Sequence, residues 1–76
     1  MQTKFKRHQK VRILIDPDPE YIEYYIEGKP PIIKGMTGKI NILLQNGNYH
    51  VEVIDKKTKQ TIAYITMPEE YLESAE

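Results

Sequence analysis

The chain contains no cysteine, no tryptophan, a single phenylalanine and only four glycines in 76 residues. Without cysteine, neither a disulfide nor a thiolate metal site can staple it. The absence is compatible with a reducing compartment. No apolar run approaches the roughly 18 residues that span a bilayer. The N-terminus is basic, but Val11 to Ile15 is too short for the apolar segment of a signal peptide and is interrupted by Arg12. The expectation is a soluble, cytoplasmic protein with no membrane contact. Charge of one sign is also missing: 11 Lys and Arg meet 11 Asp and Glu. A dedicated nucleic-acid binder shows a clearly basic total. Composition therefore ranks a protein partner ahead of a polyanion. One domain is the most that this length supports, and a chain so short buries only roughly 60% of its unfolded surface.

What is present is segregated. Lys4, Lys6, Arg7, Lys10 and Arg12 are basic, and Asp16, Asp18, Glu20, Glu23 and Glu27 that follow are acidic. Lys29, Lys34 and Lys39 turn the chain basic again, and Glu69, Glu70, Glu73 and Glu76 close it. Val11 to Ile15 alternates with period two and reads as a strand. Asp16-Pro17-Asp18-Pro19 ends it, since proline has no N–H for a ladder. The excursion from Asp16 to Lys34 carries prolines at 17, 19, 30 and 31, yet also Tyr21, Ile22, Tyr24, Tyr25 and Ile26. That is too apolar for disorder, so an ordered loop or irregular hairpin is expected. The alternative is a short helix from Glu20 to Glu27, with Pro19 in its first turn and Gly28 at its end.

The second strand is expected from Met36 to Leu44, with a bend or bulge at Gly38 and with Ile40, Ile42 and Leu44 on one face. Asn46-Gly47 between two β-rich runs predicts a tight hairpin whose central residues take φ > 0. Tyr49, Val51 and Val53 share a face of the next strand, with His50 and Glu52 opposite. Asp55 to Lys59 is a solvated turn, Thr61 to Met67 a further strand, and Pro68 to Leu72 a single helical turn. The predicted core is Val11, Ile13, Ile40, Ile42, Val51, Val53, Ile65 and Leu72.

Strand, long loop, Gly-x-x-Gly strand, tight hairpin, second hairpin and helical turn form a sequence of elements that resembles the small SH3-like barrel superfamily. Val11-Arg12-Ile13-Leu14-Ile15-Asp16-Pro17 and Lys34-Gly35-Met36-Thr37-Gly38-Lys39-Ile40 resemble KOW-type barrels. Lys34 to Gly38, Tyr49-His50-Val51-Glu52-Val53 and Pro68 to Glu73 resemble stand-alone barrels such as the variable chain of ferredoxin–thioredoxin reductase. The resemblance implies an all-β, five-stranded SH3-like barrel over residues 10–73, a flexible basic arm over 1–9 and a short tail over 74–76. It also implies a binding module or accessory subunit. The KOW likeness implies an RNA- or ribosome-associated alternative, and the reductase likeness a non-catalytic subunit of a redox enzyme.

No enzyme, cofactor or metal site is expected. Of the two histidines, His50 has Glu52 two residues along the same face, a spacing that a solvent-facing cross-strand pair explains equally well. Asp16-x-Asp18-x-Glu20 is no calcium loop, because prolines interrupt it and the glycine is missing. Gly35-x-x-Gly38 lacks the Lys-Ser/Thr pair of a phosphate loop. The candidate partner-binding surface is Asp18, Glu20, Tyr21, Glu23, Tyr24, Tyr25 and Glu27, where acids surround three tyrosines; tyrosine supplies large contact area and a polar tip. Proline-rich ligands are not expected, because the SH3 groove that takes them carries a tryptophan. The nucleic-acid alternative rests on Lys4, Lys6, Arg7, Lys10 and Arg12. Lys34, Lys39, Lys56, Lys57 and Lys59 join them only if the fold gathers them on one side.

Overall fold

A computed structural model describes residues 5–28 and 30–76. Six antiparallel strands form one sheet: β1 (Lys10–Ile13), β2 (Ile22–Tyr24), β3 (Thr37–Leu43), β4 (Asn48–Ile54), β5 (Thr61–Pro68) and β6 (Leu72–Ser74). Their order is β2-β5-β4-β3-β1-β6. Short 3₁₀ turns occupy Pro19–Tyr21, Gln45–Gly47 and Glu69–Tyr71, and the described residues include no α-helix. The strand count exceeds the expected five because the long first loop contributes β2.

The core follows from strict alternation. Along β4, Tyr49, Val51 and Val53 are buried while Asn48, His50, Glu52 and Ile54 are half-buried. Paired residues share a face, so Val51 meets Ile40 on one side and Ile65 on the other. Val11, Ile13, Ile40, Tyr49, Val51, Val53, Ile65 and Leu72 are at most 1% exposed. Each aliphatic side chain so buried contributes roughly 1.5–3 kcal/mol.

Within the stretch expected as a flexible arm, the chain from Phe5 onward docks on the sheet. Phe5 is buried in the core, its backbone N–H donating to the Tyr49 hydroxyl at 3.2 Å. The two rings meet edge to face at 5.5 Å. The single phenylalanine therefore gives the buried Tyr49 hydroxyl a partner while adding its own apolar area. His8 N–H donates to Ile40 O at 2.7 Å and Ile40 N–H to Gln9 O at 3.0 Å, which prolongs the β1–β3 pairing back to residue 8. At the other end Ala75 N–H donates to Lys10 O, so ordered pairing passes the expected boundary at residue 73.

β3 corrects two expectations. Gly38 is not the bulge. It pairs with Val11 and Val53, and a Cβ there would collide with the Glu52 carbonyl oxygen and lie 3.2 Å from Val51 Cγ1. Glycine is needed for the close approach of two backbones. The irregularity lies between Ile40 and Ile42, where Asn41 is the extra residue. One inserted residue inverts the facing of all that follow. Ile42 therefore sits opposite His50 and is 42% exposed rather than buried. A second shift between Val53 and Ile54 lets Ile62 and Ala63 both be buried.

The hairpin forms where Asn46-Gly47 predicts it. Asn46 has φ 65°, ψ 27° and Gly47 φ 76°, and Asn48 N–H donates back to Gln45 O. The helix considered over 20–27 is absent. Ile22 and Tyr24 instead pair with Ile65 and Ala63 on the free edge of β5, and Tyr25 N–H donates to Ile62 O. That edge satisfies the segment's backbone and its apolar alternation together. The loop neck closes through Lys34 N–H to Asp16 Oδ1 at 2.8 Å and Gly35 N–H to Ile13 O at 2.8 Å.

Candidate functional site

The alternation that fills the core sends another set of side chains to the outer face. Register places Glu23, Tyr64, Glu52, Lys39 and Lys10 in one row across β2, β5, β4, β3 and β1. Beside it run Thr66, His50 and Ile42. The rings of His50 and Tyr64, diagonal neighbours across β4 and β5, stack in parallel with centroids 4.9 Å apart. Tyr25 abuts Tyr64 edge-on at 6.1 Å. The result is a continuous aromatic surface flanked by Glu23 and Glu52.

The polar groups beneath it are satisfied. Glu52 Oε2 accepts from Thr61 Oγ1 at 2.8 Å and from the Tyr64 hydroxyl at 3.4 Å. Burial on the sheet face, and then the Glu52 carboxylate, push the Tyr64 phenol above the ordinary tyrosine range. Tyr64 therefore stays a donor throughout the neutral range. Asn41 Nδ2 lies 2.8 Å from His50 Nδ1. An amide nitrogen only donates, so with the amide in this orientation Nδ1 is the acceptor. The inserted residue of β3 thus fixes the ring orientation of the stack. Among the described residues no group of three His, Asp or Glu side chains converges as a metal site.

The sequence-predicted surface divides. Tyr21 and Tyr25 are 56% and 71% exposed. Tyr24 turns inward, packs against the core and donates its hydroxyl to Pro30 O at 2.9 Å. Asp18 caps the 3₁₀ turn, its carboxylate accepting from Glu20 N–H. Glu20 and Glu27 are exposed, and Glu23 stands opposite Tyr64. Tyr64 and His50 complete the aromatic surface from a distant part of the chain. Period-two alternation places Tyr64 outward, but only the pairing of β2 with β5 brings it to Tyr25.

The basic residues scatter and regroup. Lys4 lies outside the described residues. Lys6 and Arg7 are exposed on the docked N-terminal segment, and Arg12 pairs with Glu73 at 3.8 Å. Lys10 instead joins Lys39, Lys56 and Lys59 in lining a groove shared with Thr37, Gly38, Ile54 and Asp55. Asp55 Oδ1 accepts from Lys57 N–H at 2.7 Å and Thr58 N–H at 3.0 Å. These backbone donors, Thr58 foremost, hold its carboxyl below the ordinary aspartate range.

The chain matches no protein-family model, no curated protein and no solved structure at a significant level.

Proposed function

We propose that this chain is an SH3-like barrel that acts as a non-catalytic protein-interaction module, an accessory subunit or regulator within a protein complex. The strand order supports the barrel reading: β1, β3, β4 and β5 form a meander, and β6 returns beside β1 through a 3₁₀ turn. β2 is then an addition from the long loop. The observation that carries the functional reading is the outward-facing aromatic surface of exposed Tyr25 and half-buried Tyr64 and His50, with Glu23 and Glu52 at its margin. Tyrosine rings bury much area at low entropic cost, and flanking carboxylates steer a basic segment toward them. The partner chemistry that fits is a basic peptide segment.

The test compares the wild-type chain with Tyr21→Ser/Tyr25→Ser as bait in a native lysate, with and without nuclease. Both rings are exposed, so the fold persists. The expected result is a nuclease-resistant protein partner held by the wild type and weakened more than tenfold by the variant, about 2 kcal/mol for loss of an aromatic anchor. A variant that keeps its partner overturns the reading.

A further inference from the structure

The lysine groove lies outside the aromatic surface and has no part in the reading above. Its four lysines come from three separate places in the chain: Lys10 from β1, Lys39 from β3, and Lys56 and Lys59 from the β4–β5 turn. None forms an ion pair with a carboxylate among the described residues, where the ion pair present is Arg12–Glu73. Glu52 faces Lys39 across the strands, but its carboxylate is engaged by Thr61 and Tyr64. Asp55, the groove's one carboxylate, is oriented by the backbone N–H groups of its own turn and keeps its charge, so four lysines against one carboxylate leave the groove net positive. Positive charges gathered in a concavity repel one another at a cost that a bound anion removes.

We propose that this groove binds phosphate groups, with Lys10, Lys39, Lys56 and Lys59 supplying the charge and the Thr37 hydroxyl a neutral donor. The cations are all lysine. An ammonium is a point charge with donors in several directions, which suits a tetrahedral, multiply charged oxyanion, whereas planar carboxylates are matched by the arginine fork. Lys59 adds an independent observation. It holds φ 63°, a left-handed conformation in which glycine is cheaper than any residue with a Cβ. The turn would close more easily with glycine there, and lysine instead places an ammonium on the groove.

The phosphate can belong to a small molecule or to a nucleic-acid backbone, and the experiment separates the two. The full chain is titrated with inorganic phosphate and, separately, with a short single-stranded oligothymidine, while backbone amide shifts are followed. Shifts centred on Thr37, Gly38, Lys39, Ile54 and Lys56 are expected. Response to both probes assigns a small-phosphate site, and response to the oligonucleotide alone assigns a phosphodiester backbone. Lys39→Gln/Lys59→Gln should weaken the response about tenfold at low salt. It should also lower the oligonucleotide salt slope by about 1.4, or 0.7 for each lost contact. Lys6→Gln/Arg7→Gln removes the same charge elsewhere and should change affinity less than about twofold. Lys59→Gly separates a turn role from a binding role: its melting temperature should hold or rise while phosphate binding weakens. The proposal fails if neither probe moves the groove amides, if both double variants lose binding equally, or if Lys59→Gly binds as the wild type does.

Discussion

The two faces of the β4–β5 ribbon are built from the same alternation and have opposite characters. The inner face, Tyr49, Val51, Val53, Ala63, Ile65 and Met67, is at most 2% exposed and is aliphatic apart from one ring. The outer face, His50, Glu52, Tyr64 and Thr66, is half-buried, aromatic and hydrogen-bonded to itself. The inner face resists change because close-packed side chains leave a cavity when shortened. The outer face tolerates change because water refills what a side chain vacates. Binding surfaces arise on the second kind of face, where chemistry can vary without unfolding the domain.

Substitutions on the two faces should therefore differ in scale. Ile65→Ala, at the centre of the inner face between Val51 and Ile22, should cost about 2–5 kcal/mol in denaturant unfolding. That is a large share of the stability of a domain this small. A loss under about 1 kcal/mol would erase the distinction between the faces. Gly38→Ala probes the seam between β3 and its neighbours. Its methyl would meet the Glu52 carbonyl, and overpacking of this kind should cost about 1–3 kcal/mol. Ile42→Ala is the sharpest contrast with Ile65→Ala. The same truncation on the outer face, opposite His50, should cost less than about 1 kcal/mol.

Tyr64→Phe should have the smallest effect near neutrality and a distinctive pH dependence. The folded-state phenol titrates above its unfolded value. Its contribution is therefore fully present below about pH 10, the unfolded tyrosine value, and is lost as pH rises through the higher folded value. The stability difference between wild type and Tyr64→Phe should hold constant through neutral pH and shrink above about pH 10. A difference independent of pH would show that neither burial on the sheet face nor the Glu52 carboxylate holds the Tyr64 proton.

Much of this architecture is legible from local chemistry. Asn46-Gly47 specifies a turn because those residues tolerate φ > 0 at little cost, and alternation in Tyr49 to Val53 specifies which side chains go inward. The facing of Ile42 is not legible, because an inserted residue at Asn41 leaves no trace in a pattern of alternating aliphatics. Phe5 sits in a basic run that reads as solvated tail, and the fold is needed to bring its ring against Tyr49 in the core. Tyr24 and Tyr25 are neighbours in sequence, yet one seals the core and the other is 71% exposed, because β2 pairs with β5 as a strand rather than forming a helix.

By itself the sequence determined the β-class, the hairpin, the terminal 3₁₀ turn and most of the core, since each depends on dihedral preference or on period-two burial along a short segment. Tertiary structure alone decided the two surfaces. Tyr25 meets Tyr64, on which His50 stacks, only because β2 adds to the edge of β5. Lys10, Lys39, Lys56 and Lys59 share a groove only because β1, β3 and the β4–β5 turn converge. A net charge of zero conceals that separation into an acidic aromatic side and a basic groove. Composition sums charge along the chain, whereas electrostatic attraction depends on distances that only the folded backbone sets.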